Sequence, residues 1–495
     1  MRATTIFLIC TLLVLANLIA PIDAQALDVL NDAQFDGMML APWGDQPGEP
    51  DYVLHFDPIG YSVNPGASWL INDGVVIALD ATVEIQIQGR MASAAQQDGN
   101  PAVVIRRSGL GFWNCIRVVG DGDRNNANGI VEILGLNIEG GGNGMAPLID
   151  DPDYRGMIVL DEAAPVLRIG LEENGSLSSM HDSFTNGIVV VHNADGYILE
   201  INDLRAENPF PSIPMIGVKV DDWRWDFGGG GQEWLTHGNM MIRNSIIRNC
   251  GAHGVAVYMI GGDVSDIDQS TYDLIGDTLN DNGVNNPIPP EGDGGAGRGC
   301  GAIFMHNFEY GERYKINIID CHVRNNSWDG LRLDQMTGLV HIDSNLITEN
   351  ERRGIYYDFT GNSRLAFVEN CSIAENSWEG IFVQSGTHGG VGSQFPHRDS
   401  AIKIRGNKII DNADNTADFP GNIERVANIR IHGGIKPALD GNWFEDDDSP
   451  YPEIRNNLIK GAKSGISIER LDGQPEGPEG IDCRNNIQFG ANYQG

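Results

Sequence analysis

Between Ile316 and Gln384 the chain writes one pattern of apolar and polar positions three times, anchored on Gly330, Gly354 and Gly380, which stand 24 and 26 residues apart. Twelve residues before each glycine is an apolar residue (Ile318, Ile342, Val368), and nine before is a small or polar one (Cys321, Asn345, Cys371). Seven before is β-branched (Val323, Ile347, Ile373), and four before is asparagine in every copy (Asn326, Asn350, Asn376). After the glycine, apolar residues alternate with others: Leu331 and Leu333, Ile355 and Tyr357, Ile381 and Val383. Alternation of period two marks short strands with one face turned inward. An earlier copy fits around Gly254, with Ile242, Ser245, Ile247, Cys250, Val255 and Val257. A later one begins with Ile404, Asn407, Ile409 and Asn412 before an insertion replaces the glycine, and another ends Gly465-Ile466-Ser467-Ile468. Looser copies of the glycine-strand end stand at Gly156, Gly187 and Gly217.

A period in the twenties, short strands and no helical periodicity predict an all-β solenoid, a parallel β-helix, and the leucine-rich repeat consensus is absent. Each glycine is expected to supply a turn conformation that other residues resist. Asparagine tolerates left-handed turns. Stacked at one repeat position, asparagines would form a ladder in which each amide bonds the next. A solenoid grows in one direction, so the 495 residues need not divide into several domains. The expected organisation is a signal peptide over 1–26, an N-terminal segment or cap over 27–69, and a β-helix over 70–490. Loop insertions are expected at about 259–313, 386–400 and 413–427.

The run Asn-x-x-x-Gly-Ile-x-Val, preceded by Ile-x-x-Asn-x-Ile, resembles the repeats of the pectate-lyase-like superfamily of right-handed parallel β-helix proteins. The resemblance is clear over about 240–470 and weaker back to about 70. It implies a right-handed solenoid and a carbohydrate-active protein: polysaccharide lyases, polygalacturonase-type hydrolases and mannuronan epimerases share this fold. One solenoid hosts many chemistries, so the resemblance is specific for fold and poor for reaction.

The N-terminus carries an apolar run, Ile6 to Ala20, behind Arg2, with Ala24-Gln25-Ala26 following. This reads as a cleaved signal peptide, so the protein is expected to be secreted, with no membrane association after cleavage. Lys and Arg number 33 against 68 Asp and Glu, a net charge of −35, which would repel phosphates and excludes a nucleic-acid partner. Export permits disulfides. Cys321 and Cys371, however, share a repeat position with Asn345 between them, which puts them two coils, about 9.6 Å, apart. That is beyond the reach of a disulfide, so both are expected to be buried thiols.

Candidate chemistry follows from register. The outward positions after each glycine are Arg332, Tyr356 and Phe382, then Asp334, Asp358 and Gln384. The turns before add Trp328-Asp329, Arg352-Arg353 and Trp378-Glu379. Aromatic rings flanking arginines beside carboxylates suit an extended sugar chain, because rings offer apolar faces and arginine pairs with uronate carboxylates. Trp328, Tyr356, Trp378 and Phe382 are therefore candidate binding residues for a polysaccharide. Arg332, Arg352, Arg353, Asp334 and Asp358 are the catalytic candidates. An elimination would need a base and a group neutralising the uronate, and a hydrolysis two carboxylates at a defined separation. The alternative is a non-catalytic carbohydrate-binding or surface-structural β-helix.

Three further motifs are partial. Val220-Asp221-Asp222 followed by Ala252-His253-Gly254 is similar in order to elements of polygalacturonase-type hydrolases. Phe395-Pro396-His397 lacks the aspartate of the mannuronan epimerase Asp-Pro-His. Asp121, Asp123 and Asn125, with Glu132 twelfth in line, resemble a Ca2+ loop, although Asn126 stands where glycine is wanted. A plain turn between coils is the alternative.

Overall fold

The computed structural model describes residues 27–29, 35–39, 49–56, 60–72, 74–93, 103–122, 128–143, 155–170, 178–191, 194, 196–207, 216–221, 238–258, 270–283, 301–306, 314–336, 338–359, 366–385, 402–413, 427–432, 453–461, 464–469 and 482–489. Alternating inward residues form strands that the chain deals in rotation to three parallel sheets, of 15, 13 and 14 strands. Neighbours within a sheet belong to successive coils. The fold is a parallel β-helix.

Repeat positions stack as the periodicity predicts. Ile318, Ile342, Val368 and Ile404 are in register in the third sheet. Val323, Ile347, Ile373 and Ile409 are in register in the first, and Leu331, Ile355, Ile381 and Ile429 in the second. All are fully buried, each burial stabilising by about 1.5–3 kcal/mol. One core runs from Phe35 to Ile459.

The corners are polar and satisfied. At one, Asn282, Asn326, Asn350, Asn376, Asn412 and Asn428 form a ladder, each amide nitrogen donating to the next Oδ1 at 2.8–3.1 Å. Each Oδ1 also accepts a backbone N–H from the preceding coil, as Asn350 does from Asn326 at 3.2 Å. At the other corner Asn345, Asn407 and Asn457 play the same part, interleaved with the free, buried thiols of Cys321 and Cys371. Burial pushes the Cys371 thiol up to about 12. Asn350→Ala is expected to orphan the buried N–H of Asn326 and to leave Asn376 Oδ1 without its side-chain donor. That should cost about 3 kcal/mol, read as a lower denaturation midpoint with an unchanged slope. An unchanged midpoint would remove the ladder from the account of stability.

Two turn assignments are corrected. Gly330, Gly354 and Gly380 are not among the residues with positive φ. Glycine is required there by close approach: a Cβ on Gly354 would sit 2.7 Å from the Gly380 carbonyl oxygen and 2.9 Å from Asn376 Nδ2. The left-handed residues are those just before the ladder positions, Asn325, Glu349 and Glu375 at one corner and Asp320, Ser344 and Asn370 at the other. The asparagine side chain is thus selected for its two-way hydrogen bonding.

The solenoid also begins earlier than expected. Strands at Leu27–Val29, Gly37–Met39, Tyr52–Leu54 and Tyr61–Val63 lie in the segment read as a cap, and they pair with later coils. Inside 259–313, read as an insertion, Ser270–Ile275, Thr278–Asn280 and Ile303–His306 make a full coil. Its Leu274, Asp277, Leu279 and Asn282 keep the repeat spacing. Gly301, however, stands two residues before the inward Ile303, and a long segment separates it from Asn282, so the copy was hidden. Residues 1–26, 386–400 and 414–426 lie outside the described residues. Among those described, no helix is long and apolar enough to cross a membrane.

Candidate functional site

The outer face of the second sheet carries the predicted cluster. Strands Leu331–Met336, Ile355–Phe359, Ile381–Ser385 and Ala427–His432 are successive rungs. Their alternation places Arg332, Tyr356, Phe382 and Arg430 in one outward column. The preceding turns stack in step: the Arg352 N–H donates to the Trp328 carbonyl at 3.2 Å, and the Trp378 N–H to that of Arg352 at 2.8 Å. The Arg352 guanidinium therefore lies between two indoles, 4.1 Å from each ring centre.

Every aromatic ring here holds a guanidinium. Arg332 lies 4.7 Å over Tyr356, Arg353 lies 4.6 Å over Phe382 and 4.8 Å over Trp378, and Arg430 lies 5.0 Å over Phe382. Carboxylates complete the layer. Glu379 accepts from Arg353 Nε at 3.1 Å and from Arg430 Nη1 at 3.0 Å. Asp329, fully buried, accepts the Arg353 backbone N–H at 3.1 Å. Such desolvated cation–π contacts contribute about 2 kcal/mol each.

This arrangement corrects the expectation of open aromatic platforms. Trp328, Tyr356, Trp378 and Phe382 are only 4–8% exposed, because guanidinium groups and neighbouring rungs occupy their faces. Arg353, equally buried, is committed to Glu379. The groups left partly exposed are Arg332, Arg352, Asp358 and Gln384.

The carboxyl pair is the chemically unusual part. Arg332 Nε donates to both oxygens of Asp334, at 3.1 Å each. Burial lowers the pKa of Arg332, but Asp334 and Asp329 outweigh it and raise the pKa, so Arg332 stays a cation and is no proton acceptor. Asp358 is different. Burial, then the charge of Asp334, pushes its carboxyl up to about 7 against the pull of Arg332. Its Oδ1 is buried with no hydrogen-bond partner. The two aspartates were expected in one column, but the register shifts between Leu333 and Met336, so Asp334 and Asp358 are offset across a bulge. Bulges of this kind re-aim side chains beside sites. Tyr356 donates to Gln384 Oε1 at 2.8 Å and so bridges the next rung.

Sequence reasoning left out Arg430, whose alternation in Ile429-Arg430-Ile431 continues the column, and the part of Glu379 as its bridge to Arg353. His253 is buried in its turn, accepting the Gly301 N–H on Nδ1 at 3.2 Å and stacked 5.0 Å from Phe304, which suits a structural role. Glu132, read as the last position of a calcium loop, is held by Arg168 at 2.8 Å and Arg90 at 2.6 Å. Asp121 accepts from Asn128 at 2.8 Å. Asp123, Asn125, Asp222 and Phe395 to His397 lie outside the described residues.

Residues 233–395 match the family model described as a right handed beta helix region. No curated protein matches the chain. Among solved structures, it is similar to the A-module of the Azotobacter vinelandii mannuronan C-5 epimerase AlgE4, at 14% identity over 90% of this chain and 89% of that one, with a TM-score of 0.33. It is also similar to a mutant of the periplasmic alginate epimerase AlgG, at 11% identity over 89% of this chain and 84% of that one, with a TM-score of 0.32. A third is the endo-xylogalacturonan hydrolase of Aspergillus tubingensis, at 11% identity over 92% and 93%, with a TM-score of 0.22. The matched region and the three parallel sheets make the chain a right-handed parallel β-helix.

Proposed function

We propose that this protein is an exported, carbohydrate-active β-helix that acts on a uronate-bearing polysaccharide at the second sheet, with Asp358 moving the proton. The observation that carries this reading is the Asp358 carboxyl, pushed up to about 7 beside Asp334, which Arg332 holds. Neighbouring carboxyls in unequal surroundings divide into a group that exchanges a proton at neutral pH and one that stays charged. Arg332 and Arg352 are placed to meet a uronate carboxylate. In an elimination, ionised Asp358 would take the proton next to that carboxylate, and in a hydrolysis, protonated Asp358 would give one to the leaving oxygen. Trp328 and Trp378 hold the Arg352 guanidinium in place and do not themselves stack on sugar.

A second reading has its own observation. The burial of all four aromatic residues suits a structural stack that stiffens the solenoid, on a protein that binds carbohydrate without cleaving it.

The experiment is a panel of acidic and neutral polysaccharides, with and without calcium, followed for unsaturated uronate absorbance and for reducing ends. New absorbance is expected if Asp358 is the base. Reducing ends alone would mark hydrolysis. Folded protein silent across the panel would sink the enzymatic reading in favour of the second. Dependence on calcium would support a bound calcium ion, and Asp121→Ala and Asp123→Ala would then test the loop as its site by loss of that dependence.

A further inference from the structure

We infer that Glu139, His181 and Asp182 form a site for one divalent transition-metal ion of the zinc or manganese class, on the outer face of the first sheet. Strands Leu136–Glu139 and Ser178–His181 are adjacent rungs with Glu139 and His181 in register. Both stand at the last, outward position of their strands. Asp182 follows in a left-handed turn, φ 58°. His181 Nε2 lies 3.5 Å from Glu139 Oε2, and His181 Nδ1 lies 3.5 Å from Asp182 Oδ2. One donor atom from each of the three side chains falls within 4.8 Å of the others. Bonds of about 2.0–2.2 Å to a shared ion hold donors at most about 4.4 Å apart. Binding therefore requires a small rotation of these partly exposed side chains that turns one imidazole nitrogen to both carboxylates.

What separates this trio from the carboxylates of the next rung and of the third sheet is that its side chains make only long contacts. Those carboxylates are held by short hydrogen bonds. Glu207, next in the same column, accepts from Arg248 at 2.6 Å and Asn249 at 3.1 Å. Glu132 and Glu453 are likewise held by cations. In the trio the contacts stop at 3.5 Å, and Asp182 Oδ1 is buried with no hydrogen-bond partner. A buried carboxylate oxygen left so is desolvated without compensation, which a cation coordinated by the Asp182 carboxylate through Oδ1 would remove. The nearest cation, Arg107, is 4.0 Å from Asp182 Oδ2 and is drawn over the Phe112 ring at 5.2 Å. An imidazole with two carboxylates selects borderline metals over calcium. Three protein ligands leave a coordination position open. Glu139 also lines a cavity of about 580 Å3 with His55, Arg106 and Arg107, which would admit a water or a small anion to that position.

The test uses the full chain, stripped with a chelator and titrated with zinc chloride by calorimetry, with metal content measured after gel filtration. One zinc per chain is expected, together with a rise in thermal midpoint. His181→Ala and Asp182→Asn should each abolish both effects. These side chains are partly exposed, so the variants should fold, and circular dichroism checks that. His341→Ala is the control: it removes an imidazole 3.7 Å from Glu369 on the third sheet and should retain zinc binding. No zinc bound by the parent, or zinc retained by either trio variant, would overturn the site.

Discussion

Replacing Asp277 with asparagine should stabilise this protein by about 2–3 kcal/mol at pH 8. Asp277 occupies the corner position that Asn345, Asn407 and Asn457 fill in later coils, and it is fully buried. Its Oδ1 accepts the Ser245 N–H at 2.8 Å and its Oδ2 that of Ile275 at 3.1 Å. Burial dominates these bonds and pushes the carboxyl from 3.8 up to about 7. The charged form then costs about 4 kcal/mol. The folded pKa is raised, so the stabilising proton is fully present below pH 3.8 and is lost as pH rises through about 7. Stability should therefore fall between those values in the parent and stay flatter in Asp277→Asn. The two curves should cross below pH 7: near pH 3.5, where Asp277 is largely protonated in both states, the asparagine variant should be the less stable by about 1–2 kcal/mol, the deficit of the lost Ile275 acceptor. An asparagine there can still accept from Ser245. By the geometry of Asn345, whose Nδ2 donates to the Ile318 carbonyl at 2.7 Å, its amide would reach the carbonyl of Ile242. The recovered energy is put below the full cost because the Ile275 N–H loses its side-chain acceptor. Chemical denaturation at pH 3.5, 5, 7 and 8 measures it, and parallel stability curves for the two proteins would refute the assignment.

Asp358→Asn should lower kcat on the responsive polyuronate by at least about 100-fold, the scale of a lost proton-transfer group, while KM changes little. The parent's rate should depend on a group titrating near 7. A rising limb would mean that the ionised carboxylate is the base, and a falling limb that the protonated carboxyl is the acid. Loss of activity through misfolding is separable by the sign of the linkage. The folded pKa of Asp358 is raised, so its ionisation removes stability as pH rises through about 7. The asparagine variant should then be at least as stable as the parent at pH 8. A fully active Asp358→Asn, or a rate flat across this range, would remove Asp358 from the chemistry and leave the cluster as a stack that stiffens the solenoid.

The sequence by itself determined the solenoid. Its strands need only a period-two alternation and a fixed spacing, and a coil contacts only its neighbours, so Ile318, Ile342 and Val368 could be stacked from their numbers alone. The asparagine ladder and the separation of Cys321 from Cys371 follow from the same register. The order of Trp328, Arg352 and Trp378 was legible for that reason too. Burial was not. Whether an outward ring meets solvent or a guanidinium depends on side-chain paths across three rungs, and the guanidinium occupies the face that sequence reasoning left for a sugar. The bulge that offsets Asp334 from Asp358 was equally hidden, because one extra residue in a strand leaves the alternation on either side intact. The cause of the glycines was misread, since a turn that needs left-handed backbone and a corner that leaves no room for a Cβ select the same residue. Glu139 meets His181 across 42 positions of chain only because the intervening residues make one full coil. A convergence of that kind lies in the length of the coils, which only the tertiary structure decided.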